Sequence, residues 1–152
     1  MLRYRSASVG AVVAAFAALQ STDGRASEPP RAEEQALAGT MSCERAAEPG
    51  RVKCAVEVRA AGGRSISWAD VAILELPAFT SALKGRIGPG DATYRDAASQ
   101  RWAFGLVART PGNGEAKARI RAVVCDPSTA GDAASSRCVP ATVDVRAVVH
   151  VG

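Results

Sequence analysis

The chain has 152 residues, of which 47% are hydrophobic and 22% charged, and its formal net charge is +4. The arginines are scattered along the sequence and aromatic residues make up only 5% of it, which argues against a nucleic-acid-binding surface. A chain of this length forms one modest hydrophobic core rather than two domains.

The first residues have the layout of a secretory signal peptide. Arg3 and Arg5 precede an uncharged apolar run, Val9 to Leu19, which is shorter than the about 20 residues that a membrane-spanning helix needs. We expect cleavage after Ala26, with a cut nearer Ser21 as the alternative. Residues 1–26 therefore predict an exported protein, periplasmic or extracellular, with no stable membrane span.

Residues 27–39 are rich in Glu, Pro, Ala and Arg, and Leu37 is their one large apolar residue. A segment of this composition buries little surface, so we interpret it as a flexible linker. The remaining residues, 40–152, are predicted to form a single domain.

Alternation of apolar and polar residues is the clearest structural signal in this domain, since successive side chains of a β-strand point to opposite faces. Three segments show it, and a fourth follows the same pattern around Trp102. The predicted inward rows are Val52, Cys54, Val56 and Val58; Trp102, Phe104, Leu106 and Ala108; Ala116, Ala118, Ile120, Ala122 and Val124; and Val139, Ala141, Val143, Val145, Ala147, Val149 and Val151.

The other segments give weaker signals. Residues 40–45 predict a short edge strand, and residues 66–76 predict either one central strand or two strands broken near Asp70. Residues 78–83 predict a short turn or helix, and Pro111 to Gly114 predict a hairpin turn between the Trp102 strand and the next one. The whole pattern is typical of an all-β fold, a small immunoglobulin-like antiparallel β-sandwich of six or seven strands.

Four cysteines in an exported chain of this size predict two disulfides. The spacing favours local bridges, Cys43 with Cys54 and Cys125 with Cys138, each closing a hairpin. The alternative is an immunoglobulin-like bridge from Cys54 to Cys125, with Trp68 between them as the core tryptophan and Cys43 paired with Cys138.

The end of the chain resembles a known family. Val124-Cys-Asp-Pro, then Arg137-Cys-Val-Pro, then the alternating strand from Val143 to Val151, are similar to the end of the immunoglobulin-like N-terminal domain of the thiol:disulfide interchange protein. The resemblance implies that Cys125 and Cys138 exchange electrons with a partner thiol.

Catalytic and metal-binding signals are sparse. The one histidine, His150, lies on the polar face of the last predicted strand, and neither a catalytic triad nor a metal cluster is evident. Asp126 and Asp132 share a polar loop that could offer oxygen ligands to calcium, but without a regular Asp-x-Asp series. We therefore predict no catalytic residues, no cofactor and no metal site.

The leading functional hypothesis is a noncatalytic module that binds another exported protein or a surface component through its loops or an edge strand. The segment from Lys84 to Gln100, which carries Tyr94, is the predicted recognition loop. A thiol:disulfide exchange partner that uses Cys125 and Cys138 is the second hypothesis, and an enzyme with an unrecognised site is the third. The sequence leaves the partner and the oligomeric state open.

Overall fold

In a computed structural model, residues 36–127 and 137–152 are described, and strands dominate them. The predicted signal peptide and most of the predicted linker lie outside these residues. The elements of the described part, in chain order, are β1 Leu37–Cys43, β2 Gly50–Ala60, β3 Ser65–Glu75, β4 Thr80–Ala82, β5 Arg86–Ile87, the 3₁₀ helix Pro89–Asp91, β6 Ala92–Arg95, β7 Ser99–Ala108, β8 Gly112–Cys125 and β9 Cys138–Val151.

The strands form two antiparallel sheets, which confirms the predicted all-β sandwich. Sheet A has the order β1-β2-β7-β4, and β6 joins the same edge of β7 as β4. Sheet B has the order β5-β3-β8-β9. The predicted strand at residues 40–45 is β1, an edge strand that already begins at Leu37, three residues before the expected domain boundary.

The inward rows of the long strands are those that the alternation predicts. β2, β7 and β8 bury their predicted inward residues, apart from the half-buried Phe104, whereas the first half of β9, around Val143, is only half-buried. The core consists of two clusters, one around Trp102 and Ile120 and the other around Leu106 and Val149, and Met41 and Phe104 contact both. One continuous apolar interior therefore holds the two sheets together.

β1, an edge strand of sheet A, packs against β9, an edge strand of sheet B. An added Cβ at Gly39 would lie 2.8 Å from Val145 and 2.9 Å from Ile120, so only glycine permits this approach. Farther along, Ala46 bridges to Val151, with its N–H donating to the His150 carbonyl and its carbonyl accepting from Gly152. The first and last strands of the sandwich thus lie side by side.

Residues 77–95 add three short strands to the six long ones, which is why nine strands occur where six or seven are predicted. β4 pairs with β7 in sheet A, β5 pairs with Val71 and Ala72 in sheet B, and β6 returns to β7. The segment follows one edge of the sandwich from one sheet to the other and back. The structure has these short strands where the sequence predicts a turn or helix at residues 78–83 and a loop at residues 84–100. No alternation of apolar and polar residues indicates strands there.

The predicted hairpin at Pro111 to Gly114 is wrong. β7 belongs to sheet A and β8 to sheet B, so the connection crosses between the sheets. Gly112 and Gly114 are part of β8, where an added Cβ at Gly112 would lie 2.7 Å from the Phe79 ring. These glycines therefore make room for Phe79 and Pro77 rather than forming a tight turn.

Both local disulfides are present, which confirms the predicted pairing. Cys43 lies directly opposite Cys54 on β1 and β2, and Cys125 lies directly opposite Cys138 on β8 and β9. The immunoglobulin-like alternative is wrong because Cys54 and Cys125 lie in different sheets and each has its own neighbour. Disulfides of this kind are typical of proteins that fold in an oxidising compartment.

Candidate functional site

Tyr94 lies beside a polar recess on the outer face of sheet A. The recess has a volume of about 280 Å³ and lies where β6, β7 and β2 meet. We call it the Tyr94 recess, and its lining residues are Glu57, Arg59, Tyr94, Asp96, Ser99 and Arg101. Tyr94 is 53% exposed, so the predicted recognition segment does present its aromatic residue to solvent.

Asp96 fixes the geometry of this recess. Its carboxylate accepts hydrogen bonds from the Tyr94 hydroxyl at 2.7 Å, from the Ser99 hydroxyl at 2.9 Å, and from the N–H groups of Ala98 and Ser99. These bonds, the tyrosine bond first, lower the pKa of Asp96 from 3.8 to about 2, and the carboxylate in turn raises the pKa of Tyr94. Tyr94 is therefore held in one orientation at the rim.

Glu57 lies on the other side of the recess between two arginines. Arg101 donates to it at 2.6 Å and Arg59 at 3.2 Å, and these bonds hold the pKa of Glu57 below its usual value. More than half of each guanidinium side chain is exposed. The recess thus combines an aromatic ring, two cations and two carboxylates within reach of one ligand.

A second polar cluster lies on the outer face of sheet B, where a β-bulge in β3 redirects Trp68. The pairing of β3 with β8 shifts between Ile66 and Trp68, so Ser67 and Trp68 both face outward while Ile66 and Ala69 face the core. This shift, and a second one between Ile73 and Glu75, interrupt the alternation of residues 66–76. The first shift also places Trp68, which is 36% exposed, on the outer surface rather than in the core.

Asp70 is the centre of this second cluster, which we call the Asp70 cluster and define as Trp68, Asp70, Arg86 and Arg121. Arg121 donates to Asp70 through Nε at 2.9 Å and Nη2 at 2.5 Å, and Arg86 donates through Nε at 2.6 Å. The Arg121 bonds are the main reason that the pKa of Asp70 is lowered. The Arg121 guanidinium carbon also lies 6.0 Å from the centre of the Trp68 ring.

The two disulfides differ in exposure. Cys54 and Cys125 are buried, Cys43 is half-buried, and Cys138 is exposed at the start of β9. The Cys125–Cys138 bridge therefore joins one buried and one exposed residue. All four cysteines are paired, as the sequence predicts.

His150 contacts Arg45 at 2.7 Å and the Gly152 carbonyl at 2.7 Å, which places it in the seam where Ala46 meets β9. It is half-buried and lies in neither polar cluster.

The remaining sequence hypotheses concern metals and membranes. Asp126 pairs with Arg64 at 3.0 Å, and Asp132, its proposed companion for calcium, lies outside the described residues. No group of three or more His, Cys, Asp or Glu side chains in residues 36–127 and 137–152 could hold a metal ion. Within the same ranges, no helix has the length and apolar character needed to cross a membrane.

Sequence reasoning identified Tyr94 and its segment but missed the Asp70 cluster. Arg121 was expected on the outer face of its strand, yet nothing in the sequence indicated that Arg86 and Arg121 would share one carboxylate. The available signal was the segment around Asp70, in which apolar residues occupy both of the alternating positions. A β-bulge can produce such a segment because it turns one large side chain outward.

Comparisons with known proteins do not show a family for this chain. No protein-family model and no curated protein matches the chain. Eight chains of solved structures match it in structure, among them BslA, described as a bacterial hydrophobin. BslA is 10% identical, with a TM-score of 0.34 over 77% of this chain and 94% of its own, and a likeness at this level carries no functional information.

Proposed function

We propose that this protein is an exported, noncatalytic binding module whose Tyr94 recess receives a polar group of another exported protein or of a surface component. The observation that carries the proposal is the orientation of Tyr94 by Asp96 at the rim of a concave, polar surface. Exposed aromatic residues held on a rigid scaffold are typical of binding sites.

Two features of the chain, its disulfides and its N-terminal sequence, support export. Two disulfides link directly opposed residues of neighbouring strands, and such bridges persist in oxidising compartments. The apolar run from Val9 to Leu19 behind Arg3 and Arg5 has the layout of a signal peptide. Both features agree with a periplasmic or extracellular location.

Photo-crosslinking in the cells that produce the protein tests the proposal. A benzophenone side chain replaces Tyr94, and the same group at Lys53, on the far end of the same sheet face, is the matched control. We expect an adduct of defined mass at position 94 and none at position 53, with loss of the adduct in an added Arg101→Gln variant. Equal adducts at both positions, or none at position 94, would overturn the recess as the binding site.

Fractionation of the same cells tests export. The protein is expected outside the cytoplasm, shortened near Ala26, with both disulfides formed. Recovery of the full-length chain with reduced cysteines in the cytoplasm would contradict export.

The exposure of Cys138 favours one alternative function, thiol:disulfide exchange through Cys125 and Cys138. A redox-active bridge is reduced at a higher potential than structural disulfides, while the fold persists. Mass spectrometry across a series of glutathione buffers distinguishes the two roles. If Cys125–Cys138 opens under mild conditions while Cys43–Cys54 stays closed and the fold remains, exchange becomes the main function. If both bridges resist until the protein unfolds, exchange is excluded.

A further inference from the structure

We propose that the Asp70 cluster is a second binding site, on the face opposite the Tyr94 recess, and that its ligand is an acidic carbohydrate. The proposal goes beyond the binding function proposed for the recess and does not depend on it, because the two sites lie on different sheets and share no residue.

The charge presented by the cluster is positive. Asp70 is 0% exposed, whereas the side chains of Arg86 and Arg121 are 62% and 42% exposed. The carboxylate therefore lies beneath two guanidinium groups, and a ligand in solution meets only the cations. One negative charge offsets only one of the two positive charges, so an anionic ligand is favoured electrostatically.

The arginines are also oriented before any ligand arrives. Both use Nε and Nη2 to hold Asp70, and their Nη1 groups have no protein partner in the described part of the chain. Because Asp70 fixes both planes, little side-chain entropy is lost when Nη1 donates to a ligand carboxylate. Charge-assisted hydrogen bonds of this kind are the stronger class in proteins.

Trp68 adds a flat apolar surface next to these donors. Val123 lies opposite Trp68 on β8, and Pro140 lies opposite Val123 on β9, which gives a row of apolar side chains along the outer face. Sugar rings have an apolar face that packs against aromatic rings, and a uronic acid carries its carboxylate at the edge of such a ring. A ring placed against Trp68 would thus bring its carboxylate towards Arg121, whose guanidinium carbon is 6.0 Å from the indole centre.

An acidic peptide fits this surface less well. Peptides that add to a sheet pair their main chain with an open strand edge. Along the cluster, β8 is paired with β3 on one side and β9 on the other, so its main-chain groups are already used. Arg121 on β8 therefore presents only its side chain, although Arg86 lies on the edge strand β5. The Trp68 ring beside Arg121 favours a ligand that offers a ring face together with its charge.

Titration of the purified protein with tetragalacturonate, followed by NMR and by tryptophan fluorescence, tests the proposal. Trp102 is fully buried, so the fluorescence change is expected to come from Trp68 and to vanish in Trp68→Phe/Arg86→Gln. Arg86→Gln alone keeps the Arg121 bonds to Asp70 and is expected to weaken binding about tenfold. Arg51→Gln is the matched control, because it removes the same charge from an exposed position on sheet A, and it is expected to leave the affinity unchanged.

Three ligand comparisons decide the outcome. The methyl ester of tetragalacturonate has the same rings without the charge and is expected to bind at least about tenfold more weakly. Hexaglutamate and inorganic phosphate supply anions without sugar rings and are expected to leave the Trp68 resonances unchanged. Equal binding of the methyl ester, tighter binding of hexaglutamate or phosphate, or no binding of tetragalacturonate at about 1 mM would each overturn the proposal.

Discussion

The indole N–H of Trp102 donates a hydrogen bond to the carbonyl of Gly88 at 3.1 Å, which ties the buried centre of β7 to the connection between β5 and the 3₁₀ helix. Trp102→Phe removes this donor, while the Gly88 carbonyl keeps its second bond from the Asp91 N–H, and the smaller ring leaves space in the core. We therefore expect the free energy of unfolding to fall by about 1–3 kcal/mol. Urea denaturation measures the change, and hydrogen exchange should show faster opening of residues 86–95. Trp68→Phe, on the outer face, is the control and is expected to stay within about 0.5 kcal/mol of the wild type. Similar losses in both variants would contradict this role of the Trp102 bond.

Gly39 is predicted to be intolerant of any side chain. The methyl group of Gly39→Ala would lie 2.8 Å from Val145 and 2.9 Å from Ile120, so β1 must move away from sheet B. We expect a loss of about 1–3 kcal/mol in thermal or urea unfolding. Gly85→Ala is the matched control because nothing lies within 4 Å of its added Cβ. If Gly39→Ala is no less stable than Gly85→Ala, β1 does not pack as closely as described.

The stability contributed by Asp96 should depend on pH. Its pKa is about 2 in the folded protein and 3.8 ordinarily, so the ionised carboxylate stabilises the fold above pH 3.8. That contribution is lost as the pH falls towards 2. We therefore expect Asp96→Asn to be less stable than the wild type at neutral pH, with the difference shrinking as the pH falls through about 3.8 and disappearing only below the folded pKa of about 2. Tyr94→Phe removes one of the four bonds and should show a smaller effect of the same sign, whereas a difference that is constant with pH would contradict the assignment.

Removal of either disulfide should destabilise the fold, but not equally. The bridges span 11 and 13 residues, and chain entropy predicts a loss of about 3 kcal/mol for each. Cys43→Ala/Cys54→Ala should lose more, because both cysteines pack in the second core cluster whereas Cys138 is exposed. Calorimetry of the two double variants measures the order. A greater loss for Cys125→Ala/Cys138→Ala would show that packing does not set the difference.

The parts of the fold that depend on local pattern could be predicted. The inward rows of β2, β7, β8 and β9 follow from strict alternation, and the two disulfides follow from cysteines placed on strands that are consecutive in the chain. The strands of residues 77–95 could not be predicted, because β5 has only two residues and its pairing with β3 depends on the tertiary structure. Likewise, the hairpin signal at Pro111 to Gly114 is misleading because these glycines serve packing against Phe79.

The two candidate sites also differ in how far the sequence predicts them. Tyr94 could be predicted because an aromatic residue stood in a glycine-rich connection, where exposure is common. The Asp70 cluster joins Asp70 on β3, Arg86 on β5 and Arg121 on β8, and only the sheet order brings them together. The register of β3 against β8 depends on a bulge at Ser67, which alternation alone does not reveal.

The positions of the disulfides determine how the domain transmits mechanical force. A pull applied through the segments that flank β1 and β9 would detach these strands first, and each is covalently joined to its neighbour, at Cys43 and at Cys138. Once β1 is detached, tension passes from Cys43 directly to Cys54, and from Cys138 directly to Cys125 on the other side. Residues 44–53 and 126–137 therefore bear no load while the bridges are intact, and the stretched chain is shorter by these two segments.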